Sequence, residues 1–159
     1  MFDIRKIQER VIFEAVKVAS DEETAHGIVH GASPQGAEDD ATWVKSTMAR
    51  LEKRFERATV RRIRMNCQCG YGMEEKLELV RELLRSSSSL AEFAGQPKAR
   101  AAGLSCVDGE LYLQFPNCPC PMLATVDRLD SDTWCQCTTG YSQVLFEQAF
   151  GVRVEVELQ

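Results

Sequence analysis

The stretch LSCVDGELYL, residues 104–113, decides the fold class that the sequence predicts. Asp108-Gly109 is typical of a two-residue hairpin turn, because both residues tolerate the left-handed backbone that such turns need. Apolar side chains then alternate at Leu111, Leu113 and Phe115, as they do in a half-buried strand. The stretch therefore predicts an antiparallel β-hairpin.

Helical patterns precede the hairpin. Apolar residues recur at helical spacing over about the first twenty residues, from about Asp40, and from about Met73, and each segment predicts a helix. Asp39 or Asp40 can cap the second of these helices. Ser89 and Glu92 form a capping box, which predicts a further short helix.

Two stretches between these helices look non-helical. Residues 21–40 contain several glycines, and we interpret them as a loop with at most a short helical turn, so that His26 and His30 lie on the surface. The stretch Thr59–Met65 is rich in branched residues, which favours extended chain. The basic residues between 50 and 64 are interrupted by glutamates, which is typical of a solvated helix face.

After the hairpin, the pattern predicts a helix from about Tyr141 to Phe150, stopped by Gly151. Beyond it, apolar and charged residues alternate from Val152 to Leu158, which predicts a closing strand. The sequence thus predicts an α+β fold, in which N-terminal helices precede an antiparallel sheet with a C-terminal β-hairpin/helix/strand unit. A length of 159 residues fits one domain, with a helical part at 1–58 and a cysteine-rich α+β part at 59–159.

Composition narrows the function classes. The formal net charge of −5 argues against a nucleic-acid partner, which needs a basic surface. No apolar run is long enough to cross a membrane, and the charged, amphipathic start is unlike a signal peptide. We therefore expect a cytoplasmic protein, in which the seven cysteines serve as metal ligands or reactive thiols rather than disulfides.

Six of the cysteines form three Cys-X-Cys pairs in predicted loops, namely Cys67/Cys69, Cys118/Cys120 and Cys135/Cys137. Thiolates are soft ligands that select zinc, copper(I) or iron–sulfur clusters. Since tetrahedral zinc needs four ligands and each pair supplies two at most, distant loops must converge. We predict a zinc site, with an iron–sulfur cluster as the alternative. Cys106, within a predicted strand, is expected to be a small buried apolar residue.

The segments NCQC (66–69), FPNCPCP (115–121), WCQCTTGY (134–141) and the closing stretches at 146–151 and 154–158 carry a resemblance. Through them the chain resembles a family of uncharacterised, cysteine-rich bacterial proteins. Its C-terminal part is more distantly similar to the four-vinyl reductase-type domain. That domain is a small-molecule-binding α+β fold, which also serves as the sensor part of phenol-responsive regulators.

The similarity to this domain implies a structural zinc. Its first ligand would be Cys135, five residues before Gly140-Tyr141, and an acidic ligand would lie near Glu157. Relatives usually continue into a glycine turn and a final strand with another cysteine, whereas the last residue of this sequence is Gln159. The resemblance therefore implies a zinc site without transferring a complete ligand set.

Two functions from different classes follow. The first is a binding or sensing module, in which a thiolate-bound metal fixes the C-terminal loops. A pocket between the sheet and the helices would take a small apolar or thiol-containing ligand. The second is a metal- or cysteine-dependent enzyme, a hydrolase or transferase acting on a small sulfur-containing compound. A catalytic zinc keeps one position open while a structural zinc is closed by protein ligands, so coordination separates the two. Because no general base is evident in the sequence, the first function is preferred. A third interpretation is redox activity, in which cysteine pairs cycle between thiols and disulfides. The simplest interpretation is a structural protein whose thiols only hold loops together.

The sequence also predicts assembly. The expected closing strand at 152–158 would be left open at an edge, and an open edge is a template for pairing with another chain. The first helix carries an apolar stripe that a small core would not fully cover. We therefore expect a homodimer through the first helix, this edge, or both.

Overall fold

A computed structural model describes residues 3–32, 37–116 and 119–159 of the chain. These residues form eight α-helices: α1 (Ile4–Ala19), α2 (Glu22–His30), α3 (Asp40–Arg54), α4 (Arg57–Met65), α5 (Met73–Arg85), α6 (Leu90–Gly95), α7 (Pro97–Ala101) and α8 (Gln136–Phe150). They also form an antiparallel sheet of β1 (Leu104–Val107) and β2 (Glu110–Leu113), and a 3-10 turn at Pro121–Leu123. The predicted α+β class, with N-terminal helices before an antiparallel sheet, is confirmed.

The chain divides into two compact units. The first unit comprises Met1–Gly70, Cys120–Gln143 and Glu155–Gln159, and the second unit comprises Tyr71–Pro119 and Val144–Val154. Helix α8 therefore contributes its first turns to the first unit and its remaining turns to the second. One domain over residues 1–159 stays a prediction.

Aspartates begin the first three helices. Asp3, Asp21 and Asp39 each accept a hydrogen bond from the backbone N–H three residues further on, at 3.2, 2.7 and 2.8 Å. These bonds satisfy donors that have no partner within the helix. The predicted cap of α3 is thereby confirmed, with Asp39 rather than Asp40 as the capping residue.

The core of the first unit is built around two tryptophans. The rings of Trp43 and Trp134 meet edge to face, with centroids 5.9 Å apart. The indole N–H of Trp43 donates to the carbonyl of Val29 at 2.8 Å, so its polar atom is satisfied in the core. Aliphatic side chains from the first four helices surround this pair, among them Ile12, Val16, Val44, Leu51 and Ile63.

The second unit contains the hairpin. Leu104 pairs with Leu113 across the two strands, and both turn residues have positive φ, 50° at Asp108 and 83° at Gly109. This geometry confirms the predicted two-residue turn. The unit is held by a small aromatic cluster, in which buried Phe93 meets the ring of Phe150 edge to face at 5.8 Å.

Two helices occupy stretches for which the sequence pattern predicts another structure. Residues 22–30 form α2 rather than a loop, because the Asp21 cap and the buried residues Ala25, Ile28 and Val29 outweigh the effect of Gly27. His26 and His30 therefore lie on a helix, with their rings 5.3 Å apart. Residues 57–65 form α4 rather than extended chain, because three residues at helical spacing are buried: Val60, Ile63 and Arg64.

The end of the chain also differs. The closing strand predicted over Val152–Leu158 is not formed, and these residues have no regular secondary structure. An alternating pattern becomes a strand only when a neighbouring strand pairs with it. Here a side chain bonds the segment instead, since Arg61 Nη2 donates to the carbonyl of Val156 at 2.7 Å. Helix α8 begins earlier than predicted, at Gln136, and ends before Gly151 as predicted.

Within the described ranges, no helix is both long enough and apolar enough to span a membrane.

Candidate metal centre

The end of α4 places Arg64 and Cys67 in the interior of the first unit. Both are fully buried, at 0% exposure. The backbone N–H of Cys67 donates to the carbonyl of Arg64 at 3.0 Å, and the Cys67 thiol donates to the carbonyl of Ile63 at 3.2 Å. Burial raises the pKa of the Cys67 thiol, while the Arg64 guanidinium acts in the opposite direction and the Cys137 thiol raises it further. Cys67 is thus a protonated thiol beside a cation and a second thiol.

Arg64 ties the end of α4 to the segment before α8. Its Nε donates to the carbonyl of Thr133 at 3.3 Å, and its Nη2 donates to the carbonyl of Trp134 at 2.6 Å. The guanidinium carbon also lies 4.5 Å from the centre of the Trp134 ring, which is a cation–π contact. Two backbone groups and one ring therefore hold this side chain in place.

A glycine lets α8 approach α4 closely. A Cβ atom on Gly140 would collide with the carbonyl of Met65. Cys137 precedes Gly140 by three residues, so the two lie on the same face of α8. This placement explains why the thiol of Cys137 is near enough to Cys67 to influence its pKa.

Cys120 reaches the same neighbourhood from a third segment, just before the 3-10 turn. Its sulfur accepts a hydrogen bond from the indole N–H of Trp134 at 3.4 Å. Cys120 and Cys137 both pack against the first-unit core, which contains Cys67 and Trp134. Three stretches that are far apart in sequence therefore bring a cysteine each to the core of the first unit.

The remaining paired cysteines have different surroundings. Cys135 is half-buried and follows Trp134 directly. Cys69 is exposed, and after burial its charge is the second cause that raises the pKa of Tyr141. Cys118 lies outside the described residues.

The cysteines predicted as ligands are therefore separated from the one predicted not to be. Every described member of the three pairs lies in the first unit, whereas Cys106 lies on β1 in the second. Cys106 is half-buried and not fully buried as predicted. In the ranges that the structure describes, no group of three or more His, Cys, Asp or Glu side chains is placed to hold a metal ion. The thiols are thus near one another without forming a closed set of ligands.

A groove on the first unit lies beside this region and has a volume of about 590 Å³. Helices α3 and α4 and the residue pair between them supply Glu52, Phe55, Arg57 and Arg61, the segment before α8 supplies hydroxyl groups, and α8 supplies Gln136. Glu52 accepts hydrogen bonds from Ser131 and Thr133, which fixes one wall. Both charge signs and several apolar side chains line the groove, so it suits a small polar molecule better than a purely apolar one.

This region buries polar side-chain atoms that have no hydrogen-bond partner among the described residues, a feature that the sequence does not predict. Four buried side-chain polar atoms have no hydrogen-bond partner in the described part of the chain, and three of them lie on α4 or the first turns of α8: Arg64 Nη1, Gln136 Oε1 and Thr139 Oγ1. The sequence pattern places Arg64 in a basic run on a solvated face, and the structure corrects this expectation. The spacing of Val60, Ile63 and Cys67, at i, i+3 and i+7, is the signal that could have placed it inside.

Comparison with known proteins identifies a family and no activity. All residues, 1–159, match a family described as a family of unknown function (DUF6144), and the chain belongs to this family. No curated protein and no solved structure is significantly similar to the chain.

Proposed function

We propose that the first unit is a thiolate metal-binding module that holds zinc through Cys67, Cys120, Cys135 and Cys137. The observation that carries the proposal is the convergence of three cysteines from three distant stretches, Cys67, Cys120 and Cys137, on the core of the first unit that contains Trp134. Thiolates in a largely buried setting suit zinc, which needs four ligands and no particular electronic surroundings.

Metal binding would have to draw these thiols together, because no group of the described residues is already placed to hold a metal. It would also have to displace the proton by which Cys67 bonds the carbonyl of Ile63. Both requirements make binding dependent on pH and coupled to local folding, as in structural zinc sites. Cys69 is exposed, which favours a place for it at the rim rather than among the four ligands.

The test is metal analysis of protein purified without oxygen, read together with its visible spectrum. We expect one zinc per chain and none of the strong visible absorption that an iron–sulfur cluster gives. Cobalt(II) should then replace zinc and give the intense sulfur-to-metal bands of tetrahedral thiolate coordination. The visible spectrum of an iron–sulfur cluster would show that the alternative cofactor is bound instead of zinc. Metal-free protein after repeated purification with added zinc would refute the proposal.

Single variants identify the ligands. We expect Cys67→Ser, Cys120→Ser, Cys135→Ser and Cys137→Ser each to lower zinc affinity, measured by competition with a chelator. Cys106→Ser is the matched control, since Cys106 lies on β1 in the second unit. Equal affinities in the control and in all four variants would show that the thiols of the first unit are not the ligands.

The groove next to the candidate metal centre supports the small-molecule part of the proposal. Gln136 is mostly buried, lines the groove, and has an Oε1 without a partner among the described residues. Its neighbours in sequence are the proposed ligands Cys135 and Cys137, so a ligand that donates to Gln136 would be bound next to the metal. The resemblance to four-vinyl reductase-type domains, which the comparisons do not support, stays a hypothesis.

The enzyme alternative, a hydrolase or transferase acting on a small sulfur compound, requires an open coordination position. Cobalt(II) spectra in the presence of a small thiol would separate the alternatives, because only an open site changes its spectrum when the thiol binds.

The cytoplasmic location and the homodimer stay predictions. The edge strand expected at residues 152–158 is not formed, so it no longer supports the dimer. A mass near the 17.9 kDa of one chain, unchanged on dilution in light scattering, would refute the dimer.

A further inference from the structure

The groove on the first unit contains a buried acceptor that no described residue uses. The side chain of Gln136 is 7% exposed and lines the groove. Its Nε2 donates to the carboxylate of Asp132 at 3.4 Å, which orients the amide, while its Oε1 has no hydrogen-bond partner in the described part of the chain. Because buried polar atoms in folded proteins are almost always bonded, Gln136 Oε1 marks a position where a donor is expected.

A carboxylate on the same groove is held in place with one oxygen left open. The hydroxyl groups of Ser131 and Thr133 both donate to Oε1 of Glu52, and neither bond uses Oε2. The carbonyl of Thr133 also accepts from the backbone N–H of Gln136 at 3.3 Å, so one bonded segment holds both the carboxylate and the unused acceptor. An ammonium group, which has three donors and a positive charge, is the donor that suits both.

Two cations line the groove from α4. Arg57 and Arg61 are one helical turn apart, so both lie on the same face of the helix. Arg61 Nη2 donates to the carbonyl of Val156 at 2.7 Å, which holds this side chain against the end of the chain. Neither arginine forms an ion pair with a carboxylate in the described ranges. Since a guanidinium matches a carboxylate through two parallel N–H bonds, the α4 side of the groove suits a carboxylate.

We propose that the groove binds a small amino acid, a molecule that carries both an ammonium group and a carboxylate. The ammonium group would donate to Gln136 Oε1 and Glu52, and the carboxylate would accept from Arg57 and Arg61. This inference rests on the small-molecule part of the function proposed above and requires no metal. The groove volume of about 590 Å³ leaves room for a side chain. Apolar residues that line the groove would contact that side chain, namely Phe55, Val60 and Leu158.

Ligands of a single charge fit the groove less well. An anion would meet the carboxylates of Glu52 and Asp132, and a cation would meet Arg57 and Arg61. The simplest alternative is a solvated groove, in which water bonds Gln136 Oε1 and the charged groups only keep the surface soluble. A solvated groove would not discriminate between ligands, whereas the proposed site requires both charged groups on one molecule.

The experiment screens the full chain by ligand-observed NMR and then measures affinity by isothermal titration calorimetry. The probes are the standard α-amino acids and straight-chain amino acids in which the ammonium group stands further from the carboxylate. The amino acid that binds best is compared with its analogue lacking the amine and with its carboxamide. Each analogue should bind roughly 10-fold more weakly or worse, because each loses hydrogen bonds to a charged group. Binding of no amino acid, or equal binding of either analogue, would overturn the inference.

Variants then place the ligand in the groove. Gln136→Met keeps the length of the side chain and removes the acceptor, and Arg57→Gln removes one cation at an exposed position. Each should lower affinity for the same amino acid roughly 10-fold. Arg62→Gln is the matched control, since Arg62 is an exposed arginine of α4 that does not line the groove. Unchanged affinity in Arg57→Gln, or an equal loss in Arg62→Gln, would overturn the inference even if Gln136→Met does not fold.

The same titration separates this inference from the metal site. It is run on protein loaded with zinc and on protein treated with a chelator. Amino-acid binding to protein that takes up no zinc would support the groove and refute the metal site. Protein that binds one zinc and no amino acid would overturn the inference and leave the metal site standing, so the two failures are distinguishable.

Discussion

The two units bury polar groups in opposite ways. The first unit encloses a complete guanidinium, the thiol of Cys67 and three unbonded polar atoms on α4 and the first turns of α8. The second unit places its polar groups at helix ends and on the surface, where Ser89 caps α6, Ser88 donates to Glu92, and Lys98 pairs with Glu82. Unbonded buried groups are costly and are kept where they serve a purpose. The proposed metal site accordingly lies in the unit with unbonded buried groups, while the second unit is stabilised by its own local bonds.

Metal removal should have the largest effect, and it should affect the first unit more than the second. If the first unit holds zinc as proposed, a chelator should lower amide protection there far more than in the hairpin of the second unit, because binding at such a site is coupled to folding. A whole structural zinc site contributes on the order of 10 kcal/mol. Hydrogen exchange followed by mass spectrometry, with and without chelator, measures the difference, and equal loss of protection in both units would contradict it.

Single cysteine variants test the same difference between the two units. With zinc present, Cys135→Ser should lower the free energy of unfolding by a substantial part of that contribution. Cys106→Ser, at a half-buried position on β1, should cost at most roughly 1–3 kcal/mol for its hydroxyl. Denaturant unfolding compares the two variants. Equal costs would argue against a structural metal at Cys135.

These contrasts also show what the sequence could and could not predict. The hairpin, the cap at Asp39 and the capping box at Ser89 followed from local chemistry, in which two or three neighbouring residues determine the geometry. Helix α4 was missed because branched residues and arginines suggested another structure, while burial against the rest of the first unit decided it. The strand at 152–158 was predicted from alternation alone, and alternation does not supply a partner strand.

The thiolate chemistry of the candidate site stays a prediction from the sequence, and the sequence does not predict how the thiols are arranged. Cysteine spacing indicated thiolate ligands, yet which pairs meet depends on how α4 and α8 pack. Arg64 differs from the exposed Arg61 and Arg62 only in lying on the same helical face as Val60, Ile63 and Cys67, and its residue type favours the surface. Its role depends on burial, and burial is a property of the folded chain.

A substitution at the contact between α4 and α8 should have an intermediate effect on stability. Gly140→Ala would place a Cβ against the carbonyl of Met65, so one helix must move. Such overpacking typically costs about 1–3 kcal/mol, and occasionally more. Gly27→Ala is the control, since its Cβ would meet nothing within 4 Å and alanine favours the helix interior by roughly 0.5–1 kcal/mol. Thermal unfolding should show opposite shifts for the two variants, and a neutral Gly140→Ala would mean that the two helices are not held in close contact.

The smallest expected effect concerns pH and the second unit. Glu92 accepts hydrogen bonds from the hydroxyl and the backbone N–H of Ser88, at 2.6 and 2.9 Å, and these bonds lower the pKa of its carboxyl. A depressed pKa in the folded state means that the stabilisation is present above the unfolded value of about 4.3 and is lost as pH falls through the folded value. Protection of the α6 amides should therefore decline below about pH 4.3. Glu92→Gln should remove that decline and lower protection at neutral pH, because an amide is a weaker acceptor than a carboxylate.

A second carboxyl group responds in a similar pH range. The pKa of Asp21 is also lowered, by its hydrogen bonds to Thr24, so the cap of α2 in the first unit is lost as well. Unfolding of the whole protein would therefore mix the two effects. Amide exchange resolved by residue separates them, and a decline in α6 that persists in Glu92→Gln would assign it to another carboxyl group.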